Sequence, residues 1–466
     1  MSSGGIHISF DDECYGKKFA FLDSHSRLES GTSCGGPKFL RAPSSISESA
    51  ALANQANQLK PYDNIRILDM SRVLAGPWAG QMMADLGAEV IKVERPVTGD
   101  DSRHWGPPFL KDKGGRETTE AAYFMCANRG KKSVTVDISQ PDGQALIKAL
   151  AAKCDVLIEN YKVGDLARYG LSYEDLKPLN PDLIYCSVTG FGQTGPSSAL
   201  AGYDFMIQAT GGLMSLTGHA DNEPGGGPMK VGVPVADLMT GMYASVAIQA
   251  ALARRTRNGG GGEWIDLALL DCQVAMLANQ GQNYLSGDGG LTPRMGNSHP
   301  NVAPYEAFPT QDGHLVLTVG TDYQFRKFCK AVDREDLATD PRFLTNPDRL
   351  VNRRALSTQV KAILAARPRA YWLSVFGEAG VPCGPINTLE QVYRHPQVQA
   401  REMVFQMQHP TAGPVPLTAN PIHFRESPLR YEVPPPTLGQ HTREVLTGLL
   451  GMSDADLERL SAAQAI

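Results

Sequence analysis

Residues 64–96, NIRILDMSRVLAGPWAGQMMADLGAEVIKVERP, decide the fold. The apolar run 64–70 is typical of a buried strand. Helical spacing over 78–86 follows Pro77, a residue that the first turn of a helix tolerates. The second apolar run, 89–94, predicts another strand. A strand, a helix and a strand in this order imply parallel pairing through a right-handed crossover.

The same alternation continues along the chain and predicts an α/β fold, an open parallel sheet with helices on both faces. Further strands are expected at 132–138, 155–159 and 183–188, and helices at 144–153, 173–179 and 238–255, after which the glycine run 259–262 turns the chain into 264–268. From about residue 291 the pattern changes to a smaller lobe with a strand at 314–319 and helices at 323–331 and 355–365. The Pro-rich residues 433–436 form an extended connector before a last helix at 442–450.

Composition excludes several classes of protein. The 466 residues are 42% hydrophobic and 20% charged, which is typical of a globular protein. Lys and Arg number 44 against 49 Asp and Glu, a net charge of −5. This balance argues against nucleic acid or an anionic membrane as partner. No apolar run approaches the ~20 residues that span a bilayer.

The cysteines and the N-terminal segment bear on location. Eight cysteines lie without CxxC spacing, which favours free thiols in a reducing compartment, and we expect a cytoplasmic protein. Residues 1–60 are rich in Ser and Gly and contain the acidic cluster 11–13, unlike a secretory or mitochondrial leader. We expect them to be a disordered extension.

Residues 190–195, GFGQTG, match the GxGxxG pattern directly after a predicted strand. A dinucleotide site also needs a helix that opens at the third glycine, and none is indicated here. Glu94 ends the second strand, as the ribose-binding acid of such folds does. An NAD(P)-dependent oxidoreductase therefore stays an alternative, with a plain glycine-rich loop favoured.

Asp237 stands in the apolar run 231–241, just before the long predicted helix. It has a structural interpretation as the helix N-cap. It also has a functional one, as a partly desolvated carboxylate that attacks a carbonyl and forms an anhydride. The two are compatible, because a helix N-terminus favours negative charge.

Several arginines lie in loops that follow strands, where a scattered arginine is usually just solvated. Arg72 and Arg95, however, follow successive strands at the edge where parallel sheets bind ligands, and their planar fork suits phosphate or carboxylate. The arginines of these loops are Arg72, Arg95, Arg103, Arg168 and Arg294. The polar loop 294–300 also contains His299, and an ordinary turn is an equal alternative there. The histidines show no ligand spacing, so no metal site is predicted.

Nine segments together resemble the class III CoA-transferase family, the CaiB/BaiF type, over residues 62–455. They are ILDMSRVLAGPWAGQMMADLGAEVIKVERP (67–96), GDDSRHW (99–105), NRGKKSVTVDI (128–138), DVLIENYKVGDLARYGL (155–171), SVTGFGQTGP (187–196), AGYDF (201–205), VGVPVADLMTG (231–241), VPCGPINT (381–388) and LGQHTREVL (438–446).

The resemblance implies a particular domain organisation. A large Rossmann-like CoA-binding domain would combine residues 61–268 and 387–466. A smaller α+β domain would span 290–362, and linkers would cover 269–289 and 363–386. Two such chains would form an interlocked homodimer.

The resemblance also implies site residues. Asp237 falls on the nucleophile, which would carry CoA as an aspartyl-CoA thioester. Trp105 falls on the aromatic residue of the acyl pocket. The implied CoA contacts are Leu74, Ala75, Arg95, Val136, Asn160, Tyr161 and Arg168. Acyl-CoA and free carboxylic acids are the expected substrates, with no permanently bound cofactor.

Departures from the family pattern narrow the reaction. Leu74 replaces a glutamine and Ser139 a lysine of the formyl-CoA branch, and Tyr203 replaces the histidine of the racemase branch. The segments resemble the dicarboxylate branch of succinyl-CoA:glutarate CoA-transferases, so transfer of CoA from succinyl-CoA to a diacid such as glutarate is expected. Arg72, Arg294 or His299 is predicted to hold the distal carboxylate. An α-methylacyl-CoA racemase-type enzyme is the other alternative.

Overall fold

The computed structural model describes residues 60–287 and 293–466, and the predicted extension lies outside them except for Lys60. Its centre is a parallel sheet of six strands in the order β5-β2-β1-β6-β7-β8. The strands are β1 Arg66–Asp69, β2 Glu89–Glu94, β3 Phe109–Lys111, β4 Glu117–Ala121, β5 Lys131–Thr135, β6 Val156–Glu159, β7 Ile184–Thr189, β8 Glu263–Ala268, β9 Tyr305–Thr310, β10 Gly313–Thr318, β11 Cys383–Pro385, β12 Val404–His409 and β13 Gly413–Thr418.

Helices connect these strands and cover the sheet. They are α1 Ala75–Asp85, α2 Ala122–Met125, α3 Pro141–Ala151, α4 Tyr173–Leu176, α5 Asp204–Thr210, α6 Leu213–Leu216, α7 Val235–Asn258, α8 Leu269–Met276, α9 Ala278–Ser286, α10 Asp322–Ala331, α11 Glu335–Thr339, α12 Asn346–Val351, α13 Arg353–Ala365, α14 Arg369–Ala379, α15 Leu389–Tyr393, α16 Pro396–Ala400, α17 Thr442–Leu450 and α18 Asp454–Ala462. Short 3₁₀ turns lie at Asp101–His104 and Ala167–Tyr169.

The predicted β-α-β unit is present, and the open parallel sheet is confirmed. β1 pairs in parallel with β2 on one side and with β6 on the other. β6 continues through β7 to β8, also in parallel. The carboxyl ends of all these strands therefore meet at one edge, and the loops after β1, β2, β6 and β7 lie there together.

Alternate side chains of the strands supply two hydrophobic cores. Ile67 of β1 belongs to the core under α1 and α7, where Met83 and Ile248 also pack. Its neighbour Leu68 points to the opposite core, which the C-terminal helices α17 and α18 complete through Leu446. Both faces of the sheet are thus covered, as the near-continuous apolar strands predicted.

A third core lies outside the large sheet. The antiparallel strands β9, β10 and β11 pack with α10, α13 and α14 around Phe308, Phe328 and Phe376. Residues 363–386, predicted as a linker, include α14 and β11 and contribute to this core. The division into two domains stays a prediction.

The structure corrects one sequence expectation about helices. The helix at 442–450 is not the last one, because α18 follows it and begins with a capping box between Ser453 and Asp456. α7 is long and apolar enough, by length and composition alone, to cross a membrane. In the fold it packs through Ala244 and Ile248 on the sheet, and core helices of this kind meet the same criterion.

Candidate active site

A cavity of about 200 Å³ lies at the carboxyl edge of the sheet, among the loops after β1, β6 and β7. Its walls also include the first residues of α1 and α7. Six of the predicted site residues line this one cavity: Arg72, Leu74, Ala75, Asn160, Tyr161 and Asp237. They are distant in sequence, and the parallel sheet brings them together.

Asp237 is not the helix N-cap that one interpretation predicted. Pro234 occupies the N-cap of α7, and Asp237 is the third helical residue. The first N–H groups of α7 are satisfied by another acid, Asp204. Its Oδ1 accepts hydrogen bonds from Ala236 N at 2.8 Å and from Asp237 N at 3.4 Å. The Asp237 carboxylate is therefore free of the capping role.

The surroundings of Asp237 disfavour its ionised form. Burial raises the pKa of Asp237 from 3.8 to about 7, and the negative charge of Asp204 adds to the shift. Tyr123 lies close enough to be affected, since burial and then the charge of Asp237 raise the pKa of Tyr123 to about 12. A carboxyl group with a pKa near neutrality in a cavity is a candidate for chemistry.

Asn160 fixes the loop after β1 to the loop after β6. Its Oδ1 accepts a hydrogen bond from Arg72 N at 2.8 Å, and its Nδ2 donates to Arg72 O at 2.7 Å. The Arg72 guanidinium lies 5.2 Å from the ring centre of Tyr161. Two of the predicted CoA contacts, Asn160 and Tyr161, thus hold Arg72 in place.

Arg95 and Arg168, two of the predicted CoA contacts, form ion pairs with acids that line the cavity. Arg95 donates to Asp101 at 2.8 Å, and Arg72 approaches the same carboxylate at 3.4 Å. Arg168 forms an ion pair with Asp165. The rim therefore has three guanidinium groups, each partly neutralised by an acid that an anionic ligand would displace or compete with.

Trp105, the predicted residue of the acyl pocket, is exposed, whereas Val136, a predicted CoA contact, is buried. Trp105 is 41% exposed and packs edge-on against the Tyr123 ring at 5.1 Å. Val136 is buried in the core that α17 and α18 complete. Its N–H donates to Glu94 O, so neither its side chain nor its N–H is open to a ligand.

The structure does not bring Arg294 or His299 to this cavity. Arg294 forms an ion pair with Asp221, donates to Ser215 O and lines a separate pocket. The His299 ring packs against Tyr305 at 5.0 Å. Their predicted role with a distal carboxylate stays a prediction.

The GxGxxG segment is a loop. No helix opens at Gly195, and the next one, α5, begins at Asp204. Gly190 is needed because a Cβ there would come within 2.5 Å of the Gly202 backbone. Glu94, the candidate ribose-binding acid, is buried and accepts two hydrogen bonds from Arg103 at 2.7 and 2.8 Å. Both features therefore have structural roles.

Sequence reasoning missed three polar residues around Asp237. Asp204 lies in the AGYDF segment, next to Tyr203, which stands where the racemase branch has histidine. The sequence pattern assigns no role to Asp204 itself. Asp101 stood in GDDSRHW and was likewise not assigned. Tyr123 gave no signal, since a tyrosine in a short helix is ordinary.

The fold and the cavity define an α/β protein with a carboxylate in a pocket rimmed by guanidinium groups, and sequence comparison identifies its class. Residues 62–442 match the model of CoA-transferase family III. The chain belongs to this family, and it is a CoA-transferase. CoA thioesters are the substrates of such enzymes.

Individual relatives agree with this assignment. The chain is 47% identical over 403 residues to the succinate–glutarate CoA-transferase of Agrobacterium fabrum, covering 85% of this chain and 98% of the relative. It is 44% identical to the succinyl-CoA:glutarate CoA-transferase of Mus musculus, covering 87% and 90%. A crystal structure of a CaiB/BaiF family protein from Brucella suis matches with a TM-score of 0.73 and 45% identity, covering 84% of this chain and all of that one.

Proposed function

We propose that the protein transfers CoA from succinyl-CoA to a free dicarboxylic acid, with glutarate as the first acceptor to test. The observation that carries this proposal is the Asp237 carboxyl group, which lines the cavity beside arginine-bearing loops and has a pKa of about 7. The names of the two relatives described above support the choice of succinyl and glutaryl groups.

The proposed reaction begins when the Asp237 carboxylate attacks the thioester carbonyl carbon of succinyl-CoA. The C–S bond breaks, CoA leaves as thiolate, and a mixed anhydride remains. The thiolate then attacks the Asp237 Cγ, the Cγ–O bond to the succinyl group breaks, and succinate leaves. The product is an aspartyl-CoA thioester.

Glutarate completes the proposed cycle by the reverse steps. Its carboxylate attacks the aspartyl-CoA thioester and releases the thiolate, which attacks the glutaryl carbonyl of the new anhydride. Glutaryl-CoA forms and the Asp237 carboxylate returns. One thioester is exchanged for another of similar energy, so the steps balance without a further reactant.

The proposed coenzyme site uses the walls of the cavity. Leu74, Ala75, Asn160 and Tyr161 would contact the coenzyme, and backbone N–H groups of the surrounding loops would stabilise the oxyanion. Arg95 and Arg168 at the rim suit its phosphates. Val136 is implied as a coenzyme contact by the family resemblance alone, and because it is buried we propose that it supports these loops.

The distal carboxylate of the diacid needs a cation. Arg72 is the candidate already in the cavity, whereas Arg294 and His299 would have to come from elsewhere.

We also propose the interlocked homodimer that the family resemblance implies. Exposed apolar side chains on α7, including Tyr243 and Val246, support a contact between chains.

A cytoplasmic location is part of the same proposal. The described cysteines are all free thiols, which fits a reducing compartment.

Size-exclusion chromatography with light scattering tests the dimer, because a protein that stays monomeric at micromolar concentration would contradict it.

The decisive experiment is a transfer assay with trapping. The purified protein is mixed with succinyl-CoA and glutarate, and glutaryl-CoA is measured by mass spectrometry. Borohydride added during turnover should reduce the aspartyl-CoA thioester and label the peptide that contains Asp237. Absence of glutaryl-CoA together with exchange of a Cα proton would favour the racemase-type alternative.

The distal-carboxylate assignment has its own test. Arg72→Ala should raise the KM for glutarate more than the KM for a monoacid such as butyrate, because only the diacid loses an ion pair. Arg294→Ala should give the same pattern only if the second chain brings Arg294 to the cavity. Equal effects on both acids would contradict a role in diacid recognition.

A further inference from the structure

One residue at the wall of the cavity has an unusual backbone conformation. Val73 has a φ of +70°, in the left-handed region that a β-branched side chain rarely adopts. It lines the cavity, and it directly precedes Leu74, the N-cap of α1. Conformations of this kind persist only where the surrounding structure holds them, and they cluster at functional sites.

A buried ion pair holds Val73 in this conformation. Val73 N donates to both carboxylate oxygens of Asp100, at 3.1 and 3.2 Å. Asp100 pairs with Lys92 Nζ at 2.8 Å, and both side chains are fully buried. Lys92 Nζ also donates to Ser71 O at 3.0 Å. The pair thus bonds to the backbone on both sides of Arg72.

Asp100 is itself held firmly in place. Ser102 donates to its Oδ1 through both N, at 2.9 Å, and Oγ, at 2.8 Å. Asp100 N donates to Glu94 Oε2 at 3.0 Å. Asp100 is therefore bonded to β2 twice, its carboxylate to Lys92 and its N–H to Glu94, and this strand fixes the position of Val73.

We propose that Lys92 and Asp100 are positioning residues for the transfer reaction, which hold Val73 in its left-handed conformation and so place Leu74 and Ala75 against the substrate at Asp237. This inference rests on the proposed function. Neither Lys92 nor Asp100 lines the cavity, so both act through the backbone of residues 71–75.

Three variants test the proposal. Asp100→Asn keeps the shape but weakens the acceptor, and kcat/KM for succinyl-CoA should fall at least about 10-fold, since small displacements of a positioned substrate are costly. Val73→Gly should restore most of that loss when added to Asp100→Asn, because glycine adopts positive φ without support. Val73→Pro cannot adopt this φ and lacks the N–H, so it should lose as much activity as Asp100→Asn.

The melting temperature distinguishes a loss of activity caused by misplaced residues 73–75 from one caused by a less stable fold. In the double variant, kcat/KM should recover while the melting temperature stays low, since Lys92 remains buried beside a neutral partner. Val73→Pro should lose activity and also lower the melting temperature, because proline neither adopts this φ nor donates to Asp100, and it keeps the test open if Asp100→Asn does not fold. The matched control is Asp85→Asn, which breaks another buried pair, with Arg129, at the other end of α1. It should lower the melting temperature without changing kcat/KM.

The inference fails if Val73→Pro, or folded Asp100→Asn, retains wild-type kcat/KM, or if Val73→Gly restores melting temperature and activity only together. A wild-type protein that transfers no CoA would instead overturn the proposed function, so the two failures are distinguishable.

Discussion

Two aspartates at the same edge of the sheet have opposite electrostatic surroundings. Burial alone would raise the pKa of Asp100, but Lys92 and the Ser102 donors outweigh it and lower the pKa to about 2. Within the part of the chain that the structure describes, no cation pairs with Asp237, and burial together with Asp204 raises its pKa to about 7. Asp100 is therefore fixed as an anion, whereas Asp237 is a reactive group whose charge can change near neutral pH.

The comparison shows that the fold assigns a structural role to Asp100 and a chemical role to Asp237. A buried carboxylate with a paired ammonium and several hydrogen-bond donors is well solvated by the protein and is a poor nucleophile. Among the described residues, no donor is directed at the Asp237 carboxylate. Its oxygens stay available to a substrate carbonyl, at the expense of some stability of the folded state.

The largest expected effect concerns activity. Asp237→Asn should lower kcat for CoA transfer on the order of 10⁴-fold or more, because a carboxamide does not form the anhydride. The measurement is glutaryl-CoA formation from succinyl-CoA. The control is Asp271→Asn, an exposed acid in the first turn of α8, which should stay within about twofold. Near-normal turnover by Asp237→Asn would remove the basis of the mechanism.

The same two aspartates should respond oppositely in stability. Asp100→Asn leaves the Lys92 ammonium buried without its partner, and the free energy of unfolding should fall by about 3–5 kcal/mol. Asp237→Asn removes an unpaired carboxylate, and at pH 8 the free energy of unfolding should rise by about 1–2 kcal/mol. Urea denaturation measures both. Changes of the same sign would contradict the comparison.

The pH dependence of activity should follow Asp237. Its folded-state pKa lies above the ordinary 3.8, so kcat/KM for succinyl-CoA should rise with pH and level off above about 7 as the carboxylate forms. Asp204→Asn removes a nearby negative charge and should move the inflection to lower pH.

Since the folded state holds the Asp237 proton more tightly than the unfolded state does, the contribution of Asp237 to stability should also fall as the pH rises from about 4 to about 7.

Glu159 provides the control for that profile, because burial also raises the pKa of Glu159 to about 7. Glu159→Gln should leave the inflection in place whatever it does to the rate. If the inflection disappears in Glu159→Gln and persists in Asp204→Asn unchanged, the titration belongs to Glu159 instead.

The smallest expected effect separates a neutral hydrogen bond from an ion pair. Ser102→Ala removes the Oγ donor to Asp100 but leaves Lys92 in place. The free energy of unfolding should fall by about 1 kcal/mol, well below the loss in Asp100→Asn. A loss as large as that of Asp100→Asn, in the same urea titration, would show that the hydroxyl matters as much as the charge.

Much of the fold followed from local pattern. Residues 64–96 predicted β1, α1 and β2 in the right order because strands buried on both faces are continuously apolar. α18 was missed although Ser453 and Asp456 form a capping box. Leu457 and Leu460 are its buried residues, so a short helix that contributes few apolar side chains gives a weak periodic signal.

The site was predicted in part. Asp237, Asn160 and Tyr161 were found through sequence motifs: Asn160 and Tyr161 follow β6, and Asp237 lies in the first turn of α7, so all three reach the same edge of the sheet. Asp204 and Tyr123 were missed because their relation to Asp237 depends on how α5, α2 and α7 pack, and no spacing in the sequence encodes a contact across more than thirty residues.

The amino-acid sequence by itself determined the parallel α/β architecture and the family, because apolar periodicity and motif order are properties of the chain. Only the tertiary structure decided the ionisation of its acids. A pKa depends on burial and on charges within a few ångströms, so Asp100 becomes a fixed anion beside Lys92 and Asp237 a titratable one beside Asp204.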